Sequence, residues 1–368
     1  MERLQEPGNT NHGEDDSQHL TGGQAKKIIK TKDGDVFHCI DINLQPALSH
    51  PLLRNHTIQM KPSSYPSVIK QNSQSEARIE QVQLTTVACP EETIPIIQNV
   101  KGDPERLRKV SFNPLDEDSS GFVIAGCRTT GEIYGTRVSI NIYEHKVHGA
   151  FDYSASWTMM TNGPANNIEA IAAGNLVWPN FQGDNFARFH IYWHAADGSK
   201  TACFDHLCPG FVQVNENIGL GGRLQPVSEY KGKQYELMVT ISKDPKTKDW
   251  WLFYTDKKTP VGYWSQSLFR HMKDHATSSL WGGHIHGPTI KKNSPEMGSG
   301  HYAFEGFGKA AYVRDIQILN GDNNFVTPDT HSSIAKSTNE ACYSVDKFGY
   351  NSNGMHVYFG RKGGCTIW

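Results

Sequence analysis

Short runs in which apolar and polar side chains alternate recur from residue 121 to the end of the chain, and glycine- and proline-bearing turns separate them. Val138, Ile140 and Ile142 alternate with Ser139, Asn141 and Tyr143, and Phe189, Ile191 and Trp193 alternate with His190, Tyr192 and His194. Phe211–Asn215, Tyr235–Ile241 and Trp250–Tyr254 are further runs of β-branched and aromatic residues. A period of two sends successive side chains to opposite faces of a strand, so one face packs a core and the other meets water or lines a groove. With 34 glycines and 18 prolines as punctuation, many short strands are favoured over long helices. One helix is expected at Ser265–Met272, where serine caps apolar residues at helical spacing. The predicted fold is all-β: an antiparallel β-sandwich of two sheets packed face to face, preceded by an extended, propeptide-like N-terminal segment.

Four stretches are expected along the 368 residues. Residues 1–25 are polar and read as a disordered tail. Residues 26–100 form the extended segment. It holds a strand at Val36–Ile42, and Pro46, Pro51, Pro62 and Pro66 prevent long regular structure there. Residues 101–120 carry a basic cluster, Pro104–Lys109, and then acidic Asp116, Glu117 and Asp118. This reads as a linker with a candidate processing site. Residues 121–368 make the sandwich. Asn55-His56-Thr57 is an N-glycosylation acceptor pattern at Asn55, meaningful in an exported chain. The first twenty residues show no apolar signal core. No run of 18 apolar residues exists, so no transmembrane helix is expected. A net charge of -2 gives no pull toward nucleic acid. The seven cysteines are an odd number, which leaves at least one thiol outside any intrachain pairing. Cys203 with Cys208, and Cys342 with Cys365, are close enough in sequence for local disulfides in an oxidising compartment, and reduced buried cysteines are the alternative.

No G-x-S-x-G, H-E-x-x-H or P-loop pattern is present. Glu169, in Asn166-Asn167-Ile168-Glu169-Ala170, is a carboxylate before an apolar run and a candidate general acid or base. In Trp281-Gly282-Gly283-His284-Ile285-His286 the glycines permit close backbone approach, and His284 and His286 share a strand face. Together with His190 and His194 they can build a metal site only if the two strands are neighbours. Met297–Ala310, glycine-dense with interleaved aromatics, reads as a tight turn or a groove wall. Within it, Glu305 is expected as a structural acid. His206, inside the Cys203–Cys208 loop, admits a Cys/His metal knuckle as the alternative to a disulfide staple.

The blocks Gly163–Ala170, Gly183-Asp184-Asn185, Cys203–Gln213, Pro226–Trp251, Val261–Trp264, Trp281-Gly282-Gly283 and Met297–Gln317 resemble, in content and order, the neprosin family of plant glutamic peptidases. Gln45–Pro62 and Cys89-Pro90-Glu91 resemble that family's activation peptide. The resemblance implies a secreted zymogen with a β-sandwich fold. It also implies endopeptidase cleavage of peptides or proteins near proline, in acid, by two glutamates and no cofactor. The first glutamate falls on Glu169. The second follows Trp-Gly-Gly, where this chain has His284. A carboxyl pair divides labour because mutual repulsion separates the two pKa values. An imidazole, with an ordinary pKa of about 6.5, is charged in acid and can serve only as the acid partner of a Glu169 base. Impaired catalysis is therefore expected, with His284→Glu raising the rate. Tyr192, Trp193, Gln213, Trp264 and Trp281 are the substrate-binding candidates. The same aromatics serve the alternative reading, a non-enzymatic module holding a peptide or glycan.

Overall fold

A computed structural model describes residues 25–68, 79–98, 100–101, 122–149, 151–195, 202–255, 259–346, 348–351 and 354–365. The polar tail before residue 25 and the basic and acidic clusters between 102 and 121 lie outside the described residues. Two antiparallel sheets carry the chain. One has seven strands, in the order Ala202–Phe204, Arg188–His194, Glu169–Val177, Tyr153–Asn162, Ala276–His286, Phe122–Ile133 and Ser333–Ser337. The other runs through Phe211–Gln213, Thr259–Trp264, Trp250–Tyr254, Tyr235–Lys243, Gly135–Asn141 and Ala311–Leu319, and Gly354–Gly360 pairs beside this last strand. Between the sheets lies a core in which Val138, Ile140, Ile191, Trp193, Trp251 and Trp281 are buried. The sandwich read from the alternating runs is the fold.

The alternation misleads at one point. All seven residues of Arg188–His194 are buried, so neither face of that strand is open. A second apolar layer, with Tyr153, Trp157, Trp178, Tyr192 and Phe204, covers the outer face of the seven-stranded sheet. The expected helix at Ser265–Met272 is also absent. Ser265 does cap a turn, its side chain accepting from the Ser267 N–H, but the turn is a 3-10 turn at Gln266–Leu268. Beyond it the N–H groups of Arg270, His271 and Met272 point at the Glu169 carboxylate instead of continuing a helix. The glycines of Trp281-Gly282-Gly283 serve strand packing: a Cβ on Gly283 would stand 2.4 Å from the Met297 side chain.

The N-terminal segment has its own three-stranded sheet, Ala25–Lys30, Val36–Asp41 and Thr93–Ile97. The Cys39–Cys89 disulfide and a core of Phe37, Cys39, Val87 and Ile97 hold it together. It is also stitched to the sandwich. Glu80–Gln81 pairs in parallel with Tyr235–Glu236, and Gln83–Leu84 pairs with Leu224–Gln225. The side chain of Gln45 is buried, accepting from the Gln213 N–H at 2.8 Å and donating to the Gln213 carbonyl at 3.2 Å, as a neighbouring strand would. Arg188, 1% exposed, bonds Asp35 of the segment at 3.0 Å and Asp184 of the sandwich at 2.6 Å. Cys203–Cys208 and Cys342–Cys365 are disulfides, and Cys127 is a buried free thiol whose pKa burial pushes up to about 12.

Candidate active site

Glu169 opens the strand Glu169–Val177 and faces the core between the sheets, the side shared by Ile171 and Ala173. It is fully buried. Its Oε1 accepts the Arg270 N–H at 2.7 Å, and its Oε2 accepts those of His271 and Met272, each at 2.7 Å. Three main-chain donors hold the carboxylate in place and satisfy a loop end that would otherwise leave them buried without acceptors. Charge-assisted bonds of this kind contribute about 1.5–3 kcal/mol each, so Glu169 anchors the turn.

His284 sits elsewhere. Glu169 pairs with Asn162 and His284 pairs with Ala155, two positions on the same intervening strand, Tyr153–Asn162. Seven residues separate them, about 23 Å at strand rise, and the odd count puts the two side chains on opposite faces of the sheet. The expectation that Glu169 faces position 284 across an open groove is corrected by this register. His284 lies in the outer apolar layer, fully buried, stacked on Trp157 with ring centroids 5.3 Å apart and edge-on to Tyr153 at 5.3 Å. Burial, and then the charge of neighbouring His286, hold its pKa well below the ordinary histidine value. Burial therefore disfavours its charged form relative to an exposed imidazole. On the strand Glu169–Val177, the residues sharing its face are Ala170, Ala172, Gly174 and Leu176, none of them a carboxylic acid.

On the same face, His190 and His286 take partners other than a metal. His190 Nδ1 meets Asp205 Oδ2 at 2.6 Å, with both residues buried, and His190 packs on Phe181 at 5.1 Å. His286 stacks on Tyr153 at 5.4 Å, and its pKa is lowered by burial to about 4. The signal for this layer was the alternation of Tyr153, Ala155 and Trp157, which marks an apolar outer face as plainly as an inner one. The metal idea fails on topology. The strands bearing His190 and His284 are separated by two others, about 14 Å across the sheet. Among the described residues no group of three or more metal-ligating side chains forms. His194 Nδ1 instead meets the Ile168 carbonyl at 2.7 Å, and His206 Nε2 meets Gln213 Oε1 at 2.8 Å beside an intact disulfide.

The substrate-binding candidates do not line a groove. Tyr192, Gln213, Trp264 and Trp281 are fully buried and Trp193 is nearly so. Trp281 Nε1 donates to Thr136 Oγ1 at 2.8 Å inside the core, and Trp264 packs on Phe211 at 4.7 Å. Gln213 donates its amide to the Ile218 carbonyl at 2.7 Å and gives its backbone to Gln45. Asn55, by contrast, is exposed in a turn.

Two family models match in tandem: the neprosin activation peptide over residues 28–121 and neprosin over residues 150–362. Among solved structures, a scytalido-glutamic peptidase with a peptide-based transition-state analogue aligns at 11% identity and a TM-score of 0.34, covering 66% of this chain and 98% of that one. SCP-B, a member of the eqolisin family in complex with the tripeptide Ala-Ile-His, aligns at 7% identity and a TM-score of 0.32, covering 65% and 98%. No helix in the described residues is long and apolar enough to cross a membrane. Both parts of the family's architecture, activation peptide and following domain, are matched in sequence order along most of the molecule, and the chain belongs to the neprosin family.

Proposed function

We propose that this chain is a peptidase-like neprosin-family protein in which hydrolysis is impaired, exported and held with its activation-peptide segment in place. One observation carries the reading: the only acid singled out as catalytic, Glu169, is clamped by three backbone N–H groups on the side of the sheet away from His284. A general base needs a free lone pair within reach of a water, and a general acid needs a proton to give. Full burial and three backbone donors bind most of the Glu169 acceptor capacity to the turn at Arg270–Met272. His284 is enclosed by aromatic rings, stacked on Trp157 and edge-on to Tyr153. Preference for peptides near proline, and action in acid, remain part of the proposal on family membership alone. Three disulfides fit an oxidising, extracellular setting.

The test is a pH series from 3 to 7 with a proline-rich peptide, using the full chain and the chain cut between residues 102 and 121. No cleavage above blank is expected from either. His284→Glu should leave the rate unchanged, because the new carboxylate would still be on the opposite face from Glu169. Robust turnover abolished by Glu169→Gln with unaltered melting would overturn the reading.

A further inference from the structure

We propose that the turn Tyr302–Gly308 is a carbohydrate-binding platform that takes a pyranose of a polysaccharide or glycan. Buried aromatics exclude the interior as a ligand surface, and the large exposed rings concentrate here: Phe304 is 73% exposed and Phe307 56%, with Tyr302 and Tyr230 near 40%. Exposed phenylalanine is costly on a surface, and several together on one rigid turn mark a contact site.

The turn is rigid by construction. Gly306 and Gly308 adopt φ of +71° and +76°, with open space where a side chain would be, so these positions serve backbone geometry and not packing. The Lys231 N–H donates to the Gly308 carbonyl at 2.6 Å, and the Ala303 N–H donates to Ser344 Oγ at 2.8 Å. Glu305 ties the parts together: it accepts the Tyr302 N–H at 3.1 Å and the Tyr230 hydroxyl at 3.0 Å, and its Oε1 lies 3.3 Å from His301 Nδ1. Tyr230 in turn stacks on His301 at 3.8 Å with the rings 15° apart. Sites whose rings are already fixed lose little entropy on binding.

The chemistry selects the occupant. Tyr302 and Phe304 form an offset stack with centroids 5.2 Å apart and planes 23° apart, so Tyr302 props the largely exposed Phe304 ring for contact. The negative face of an aromatic ring attracts the weakly positive axial C–H groups of a pyranose. A sugar also needs donors and acceptors at the rim for its hydroxyls. The Glu305 carboxylate lies between the rings in sequence, and the Arg361 guanidinium stands 5.2 Å from the Tyr302 ring centre. A protein partner prefers an interface centre depleted of charge, and an anionic lipid surface prefers a basic cluster. Here both signs sit among the rings.

Binding should be measured calorimetrically on the full chain with hexasaccharides of β-1,4-linked glucose, xylose and N-acetylglucosamine, with light scattering alongside. At least one should bind, and Phe304→Ala or Phe307→Ala should weaken it about tenfold or more with no change in melting temperature. Glu305→Gln should weaken it less. Failure of all three sugars to bind, or binding indifferent to both phenylalanine variants, overturns the proposal. A dimer in light scattering that Phe304→Ala dissolves would also overturn it, assigning the turn to self-association.

Discussion

At the scale of single residues, one carboxylate shows how identical chemistry can serve scaffold or reaction. Glu169 has the type and sequence setting of a catalytic acid, yet its two oxygens are committed to three main-chain donors. Glu169→Gln replaces a charged acceptor by an amide that offers one oxygen to those donors. A loss of about 2–4 kcal/mol in urea unfolding is expected, with no change in peptide hydrolysis. Residue type and strand membership were legible at Glu169 and His284, since both fall on strands. Their mutual placement was not. Face and level on a sheet depend on register with an intervening strand, and Tyr153–Asn162, which sets that register, is remote from both in sequence. The substrate-binding aromatics failed for a related reason: a tryptophan in a strand reads the same whether it lines a cleft or fills a core.

At the scale of elements, the N-terminal segment behaves as part of the fold. Asp35→Ala would leave buried Arg188 with Asp184 as its one remaining carboxylate, beside the Gly221 carbonyl. Breaking a buried pair from one side costs about 3–5 kcal/mol, discounted here because one partner remains, so a loss of about 2 kcal/mol is expected in chemical unfolding. Cys39→Ser with Cys89→Ser removes a cross-link spanning 50 residues, and the loop-entropy account gives a loss of about 4 kcal/mol. Limited proteolysis should then cut first within residues 42–63. The strand Val36–Ile42 and the prolines after it were readable as local signals. The pairing of Gln83–Leu84 with Leu224–Gln225 was not, because β-partners so far apart share no local pattern.

For the whole molecule, pH should act through its interior histidines. Burial lowers the pKa of His145 to about 4, with a backbone bond to Ser154 opposing. It also lowers that of His286 to about 4, and those of His206 and His284. In the unfolded chain each titrates near 6.5, so on acidification the unfolded state takes protons first. Stability from these groups is complete above about pH 6.5 and falls as pH drops from there toward 4. His145 alone should account for about 2 kcal/mol at pH 5. Urea midpoints at pH 7.5 and pH 5.0 measure the slope, and His145→Gln should flatten it; a slope unaltered in that variant would remove His145 as its source.

The disulfides found among the described residues leave the N-terminal segment and the sandwich without a covalent bridge, since Cys39 pairs with Cys89 inside the segment. A single cut between residues 102 and 121 would therefore convert one polypeptide into a two-chain complex. Until then the segment is present at the effective concentration its tether imposes; afterwards mass action governs its retention, and dilution alone would release it. Departure would uncover the strand ends at Leu224–Gln225 and Tyr235–Glu236 and the guanidinium of Arg188, a surface that invites a replacement strand. The freed body would then compete for any extended peptide that supplies an acid where Asp35 had been.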